Sequence, residues 1–166
     1  IAHAGRKASC ALPWEGGKAL HGATAWTTLG PTDQPFYAGD PAPRAMTRAD
    51  MEQVREKFVA SARRAARAGF DVLEIHAAHG YLLSSWLSAA SNTRSDEHGG
   101  SLENRLRYPL EVVAAVRAAW PEGRPLFVRI SASDWLEGQG EQGRRGMTLD
   151  DAVQASRAFA ALGVDV

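Results

Sequence analysis

GFDVLEIHAAHGYL (69–82) is the stretch whose reading decides the fold. Its first half reads as a strand over Asp71–His76. Leu73 and Ile75 share one face of that strand, and Val72, Glu74 and His76 share the other. An open doubly wound sheet carries helices on both sides, so its strands are apolar on both faces. Here one face turns charged and polar toward the C-terminal end. That suits the interior of a (β/α)8 barrel whose mouth holds a ligand. PLFVRIS (125–131) repeats the pattern, with Leu126, Val128 and Ile130 opposing Phe127, Arg129 and Ser131.

Helices fill the intervals. Thr47 precedes RADMEQVREKFVASARRAARA with Asp50 three residues on, a capping box with Asp in place of Glu. Met51, Val54, Phe58, Ala62 and Ala65 recur at steps of three and four, which gives a stripe for packing on a sheet. Gly69 suits a left-handed stop. A second helix is predicted over Glu103–Trp120, ended by Pro121 and Gly123, and a third over Leu149–Leu162, capped by Thr148. Helix, glycine and strand in repeated succession predict a parallel sheet with right-handed crossovers. The fold class is therefore α/β, a partial (β/α)8 TIM barrel. A full barrel takes about 250 residues, so the end of one strand, two whole strands and the start of a fourth are expected, about half of the barrel. Residues 1–166 then form the central part of one barrel domain, truncated within it at both ends.

Composition narrows the partners. Nineteen basic and nineteen acidic residues cancel, and 45% of the chain is hydrophobic. That balance supplies no field for nucleic acid or an anionic membrane, and no apolar run approaches the roughly 20 residues of a membrane span. The single Cys10 excludes an internal disulfide and fits a reducing compartment, so a cytoplasmic location is expected.

The chemistry gathers where the strand stops. His76 closes it, His79 sits in the loop above, Gly80 lets the chain turn and Tyr81 starts the next segment. Two imidazoles there can donate two hydrogen bonds to one carbonyl oxygen and draw electrons from a conjugated C=C bond. Tyr81 can deliver the α-carbon proton as general acid. Arg129, projecting into the barrel, suits a nearby developing negative charge. No side chain donates a hydride, so the scheme requires a cofactor. His-x-x-His is also a ligand spacing, so a metal-dependent hydrolase on the same fold is an alternative, although no third-ligand motif stands beside His3, His21 or His98.

AHAGRKAS (2–9), AGFDVLEIHAAHGYLLSSWLS (68–88), SNTRSDEHGGSLENRLR (91–107) and PLFVRISASDW (125–135) resemble the old yellow enzyme family, in register over nearly the whole chain. The closest likeness is to its bacterial NADPH dehydrogenases and ene-reductases, the branch of the xenobiotic reductases. The resemblance implies an FMN-binding barrel, reduced by NADPH or NADH, that passes hydride to the activated alkene of an enone or to a quinone-like substrate. It implies that His76 and His79 bind the substrate carbonyl, that Tyr81 is the proton donor, and that Arg129 lies at the flavin N1/C2 carbonyl edge. It also implies a homo-oligomeric parent.

Some features depart from the family. His98 stands where Tyr is usual, which reads as a change of loop packing. The loop WLEGQGEQGRRGMT (135–148) is long and reads as a solvated insertion. The family's flavin-contacting Gln, its redox-tuning Cys and its FMN phosphate loop have no counterpart in these residues, so the chain alone is expected to be inactive. Asn92, Arg94, Asp96, Glu103, Asn104 and Arg105 read as a hydrogen-bonded loop brace, because no phosphate-loop pattern accompanies them.

Overall fold

Helix α1 (Arg48–Arg67) starts where its capping box predicts. The Thr47 hydroxyl accepts from the Asp50 N–H at 3.2 Å, and the Asp50 carboxylate accepts from the Thr47 N–H at 2.8 Å. Arg44 adds a two-pronged contact to the same carboxylate, and together they hold it well below the usual carboxylate range. Gly69, at φ +85°, follows the last turn. The same box recurs at Thr148 and Asp151 before the helix Leu149–Ala160.

The computed structural model describes residues 1–136 and 146–166. In chain order come β1 (Leu29–Gly30), β2 (Arg44–Ala45), α1, β3 (Leu73–Ala77), α2 (Leu82–Leu87), α3 (Leu102–Ala119), β4 (Leu126–Ile130) and α4 (Leu149–Ala160). Most of the expected insertion after Trp135, residues 137–145, lies outside the described residues.

β3 and β4 pair in parallel, with Ile75 opposite Val128 and His76 opposite Arg129. On the free edge of β3, the Ile1 amine donates to Glu74 O at 2.6 Å and His76 N–H donates to Ile1 O at 2.8 Å. On the free edge of β4, Asp165 N–H donates to Leu126 O and Val128 N–H donates to Val166 O, both at 2.9 Å. Ile1, β3, β4 and residues 165–166 thus lie side by side in chain order, with no reversal. A doubly wound sheet reverses its strand order at a switch point; a barrel does not. This is a sector of a (β/α)8 barrel.

One face of the sector is covered. Leu73, Ile75, Ala77 and Leu126 are buried with Val54, Phe58 and Ala62 of α1 and Val112, Val113 and Val116 of α3. Each fully buried larger side chain contributes about 1.5–3 kcal/mol. The opposite, inner face is open: Val72, Glu74 and Arg129 are exposed, and His76 and Phe127 are half-buried. Among the described residues no helix is long and apolar enough to cross a membrane.

Three details differ from the sequence expectation. α2 is a helix of six residues, all of them buried, so its pattern carries no periodicity to read. The excursion over residues 9–43 holds short 3-10 turns at Pro13–Glu15 and Gly22–Thr24, a Cys10–Ala19 bridge, and β1, which pairs in parallel with β2. The third helix stops at Ala160, two residues early.

Candidate active site

The end of β3 turns sharply. Tyr81 N–H donates to Ala78 O at 3.1 Å, and the two residues between them, His79 and Gly80, have φ of +58° and +72°. Positive φ at both central positions is a type I′ turn, which favours glycine. At Gly80 the requirement is doubled, because a Cβ there would lie 2.6 Å from Cε2 of Phe36. The turn throws His79 back over the strand end, so its ring meets that of His76 edge to face at 5.0 Å. Tyr81 meets His76 from another side, also edge to face at 5.0 Å. The three residues singled out in the sequence are therefore brought together at the C-terminal mouth of the barrel.

Hydrogen bonding fixes the protons. Ala78 N–H donates to His76 Nδ1 at 3.1 Å, so the neutral ring carries its hydrogen on Nε2. That Nε2 lies 3.2 Å from His79 Nδ1. His76 is the donor in this contact, and His79 then carries its own hydrogen on Nε2. The His76 pKa is lowered, first by burial and then by its neighbours His79 and Arg129, which keeps the ring neutral. The rings hold each other, and an oxygen entering between them takes both N–H groups only if His79 changes tautomer.

Arg129 lies directly across the register from His76, on the inner face. Its Nε is 3.7 Å from Glu74 Oε1, and its side chain is 54% exposed. A guanidinium has five N–H donors, and this ion pair satisfies none at hydrogen-bond distance. The donors left over fit a planar, carbonyl-rich cofactor edge such as that of a flavin. His76 and His79 have no comparable fit to a metal: among the described residues no three His, Cys, Asp or Glu side chains cluster.

Two residues at the mouth escaped the sequence reading. Ser131, just past β4, accepts from the His79 N–H at 3.0 Å. Lys7, in the 3-10 turn Gly5–Lys7, donates to the His79 carbonyl at 3.0 Å. Its ammonium also sits 4.4 Å from the Phe36 ring centroid and 5.0 Å from that of Tyr81. Lys7 lies within AHAGRKAS, but nothing in its spacing from His79 signals the contact. Beyond Tyr81 a cavity of about 370 Å³ opens under the excursion, lined also by Lys7, Cys10, Trp26 and Phe36. It meets the histidines through Tyr81 and Lys7.

The SNTRSDEHGGSLENR segment is a brace. Asn92 donates its amide to Trp86 O and His98 O, and Arg94 donates to Pro31 O and Met46 O while pairing with Asp96. That pairing lowers the Asp96 pKa to about 2. Arg105, 6% exposed, donates to Leu87 O, Gly100 O and Asp151. Asn104 donates to Gly99 O, whereas Glu103 on the surface pairs with Arg107. His98 is buried edge-on against Trp86, in keeping with a packing role.

The chain is similar to known proteins over most of its length. Residues 1–161 match the NADH:flavin oxidoreductase / NADH oxidase family. A protein of Gibberella zeae described as NADH:flavin oxidoreductase FG08077 is 49% identical over 142 residues, covering 82% of this chain and 34% of that protein. The NADPH dehydrogenase of Geobacillus thermodenitrificans is 45% identical over 166 residues, all of this chain and 42% of that protein. Among solved structures, the old yellow enzyme homologue of Zymomonas mobilis superposes with a TM-score of 0.66 at 27% identity, over 85% of this chain and 41% of that one. The chain spans between a third and a half of the length of the curated relatives it matches.

Proposed function

The chain belongs to the NADH:flavin oxidoreductase / NADH oxidase family, and from that premise we propose that it is the central part of one FMN-binding (β/α)8 barrel. The protein is then an oxidoreductase that uses NADPH or NADH to reduce the activated C=C bond of α,β-unsaturated carbonyl compounds. The names of its relatives, NADH:flavin oxidoreductase and NADPH dehydrogenase, support flavin and either nicotinamide. The observation that carries the reading is the grouping of His76, His79 and Tyr81 at one strand end, with Arg129 across the register.

FMN, when bound, supplies the hydride. The residues of this chain do the rest. His76, neutral and with its hydrogen fixed on Nε2, donates to the substrate carbonyl oxygen. His79 supplies the second hydrogen bond from Nδ1 once its tautomer has changed. Together they stabilise the negative charge that develops on that oxygen. The Tyr81 hydroxyl gives its proton to the α-carbon. Arg129 would hold the N1/C2 carbonyl edge of the flavin with its free guanidinium donors. The partner is a small enone or quinone, and an exposed, unpaired Cys10 is in keeping with a reducing cytoplasm.

The test is made on the complete protein. The expected result is a yellow preparation that releases FMN on denaturation and oxidises NADPH or NADH faster when 2-cyclohexenone is added, with cyclohexanone as product. A colourless protein whose turnover is abolished by a chelator and restored by zinc would overturn the reading and favour the hydrolase.

A further inference from the structure

His79 stands at φ +58°, a backbone conformation that side chains other than glycine rarely adopt. The direction of its imidazole depends on that conformation, because turning the peptide would swing the ring away from His76. The peptide is gripped on both sides. Its N–H donates to Ser131 Oγ and its carbonyl accepts from Lys7 Nζ, each at 3.0 Å. Neither grip comes from the turn itself: Ser131 follows β4, and Lys7 closes the 3-10 turn Gly5–Lys7 that comes after Ile1 on the edge of β3.

Both anchors are held in turn. A Cβ at Gly5 would lie 2.9 Å from Cα of Leu82, so the 3-10 turn carrying Lys7 is seated directly on the start of α2. The Lys7 ammonium is flanked by the rings of Phe36 and Tyr81, which leaves it little freedom to turn elsewhere. Ser131 is fixed by the registered pairing of β3 and β4, which runs to Ala77 and Ile130 just before the two loops.

We infer that Lys7 and Ser131 are positioning residues: they clamp the His79 peptide from opposite sides in its left-handed conformation and so aim its imidazole at His76. The loop after β3, the end of β4 and the Gly5–Lys7 turn each contribute one part of the clamp, so the direction of the ring is set by tertiary contacts and not by the turn alone. The catalytic consequence rests on the function proposed above; the clamp does not.

The experiment uses the complete protein with histidine-selective ¹⁵N labelling. Ser131→Ala and Lys7→Met each remove one grip, while Ser131→Thr and Lys7→Arg keep an acceptor and a donor. In the first pair the ring nitrogens of His76 and His79 should move toward the shifts of uncoupled imidazoles; in the second they should stay near wild type. Loss of one hydrogen bond corresponds to a change of about two- to tenfold, so kcat for 2-cyclohexenone should fall by about that factor, with KM less affected. Wild-type imidazole shifts in both Ser131→Ala and Lys7→Met would overturn the clamp, because the turn would then suffice. Equal disturbance by Lys7→Arg and Lys7→Met would overturn it as well, since packing and not donation would be at stake. Disturbed shifts in a protein that reduces no enone would uphold the clamp and refute the functional reading instead.

Discussion

Tyr81→Phe should separate the two halves of the proposed reaction. The ring of Tyr81 is held by His76, edge to face at 5.0 Å and 88°, and by the Lys7 ammonium 5.0 Å from its centroid. No described residue hydrogen-bonds its hydroxyl, so removing the oxygen leaves no protein group unsatisfied, and phenylalanine keeps the ring contacts. Stability should change by less than about 0.5 kcal/mol, the ordinary range for a substitution that touches no special feature. The chemistry should respond on another scale. A positioned general acid contributes about 10²–10⁴ in rate, which corresponds to about 2.7–5.5 kcal/mol of barrier. Stopped-flow absorbance can follow reduction of the flavin by NADPH and its reoxidation by an enone as separate steps. The first needs no proton at an alkene carbon and should change little, whereas the second should slow by the full factor. Quinone acceptors, which take protons on oxygen from solvent, should be spared. Equal slowing of both steps would refute the reasoning, because Tyr81 would then be shaping the pocket. No slowing with the enone would assign the proton to another group.

His76→Ala and His79→Ala should each lower enone turnover by about 10²–10³, the usual loss for one donor to a developing oxyanion. The double variant should fall short of the product of the two, because both rings serve one oxygen; multiplicative losses would mean two separate roles. The lowered pKa of His76 gives a sign for pH dependence. The unfolded chain takes up a proton near the ordinary value of 6.5 and the folded one only below it. The contribution of neutral His76 is therefore complete above about pH 6.5 and is lost as pH falls toward the folded value. Urea melts at pH 7.5 and 5.5 on wild type and His76→Gln should show it as a difference that shrinks in the variant. Arg105→Met should cost about 3–5 kcal/mol, because it strips a buried guanidinium from Asp151 and leaves the Leu87 and Gly100 carbonyls without a donor. A shift in unfolding midpoint worth less than about 1 kcal/mol would show that water replaces it.

Much of this was legible because the decisive signals were local. The capping boxes at Thr47 and Thr148 each lie within four residues. The alternation in β3 and β4 distinguished an open inner face from a covered one before any partner strand was known. What could not be read depended on long-range placement. α2 is buried all round, so it offers no polar face to mark its period. Lys7 and Ser131 meet His79 across 72 and 52 residues of chain, and neither contact leaves a spacing in the sequence. The pairing of the imidazoles was visible as His-x-x-His, but their bonding to each other followed only from the left-handed φ of His79.

The amide of Ala78 on Nδ1 of His76 has a consequence for how protons can travel. A Grotthuss wire needs each member able both to receive and to release a proton, so that the chain can reset after every passage. A peptide N–H at pH 7 does neither. The row from Ala78 through His76 to His79 is therefore a dead-ended string of dipoles, all pointing outward, and His76 has no inner neighbour from which to refill. A proton needed at this mouth therefore cannot be drawn from the Ala78 side of His76 and has to arrive from the solvent side.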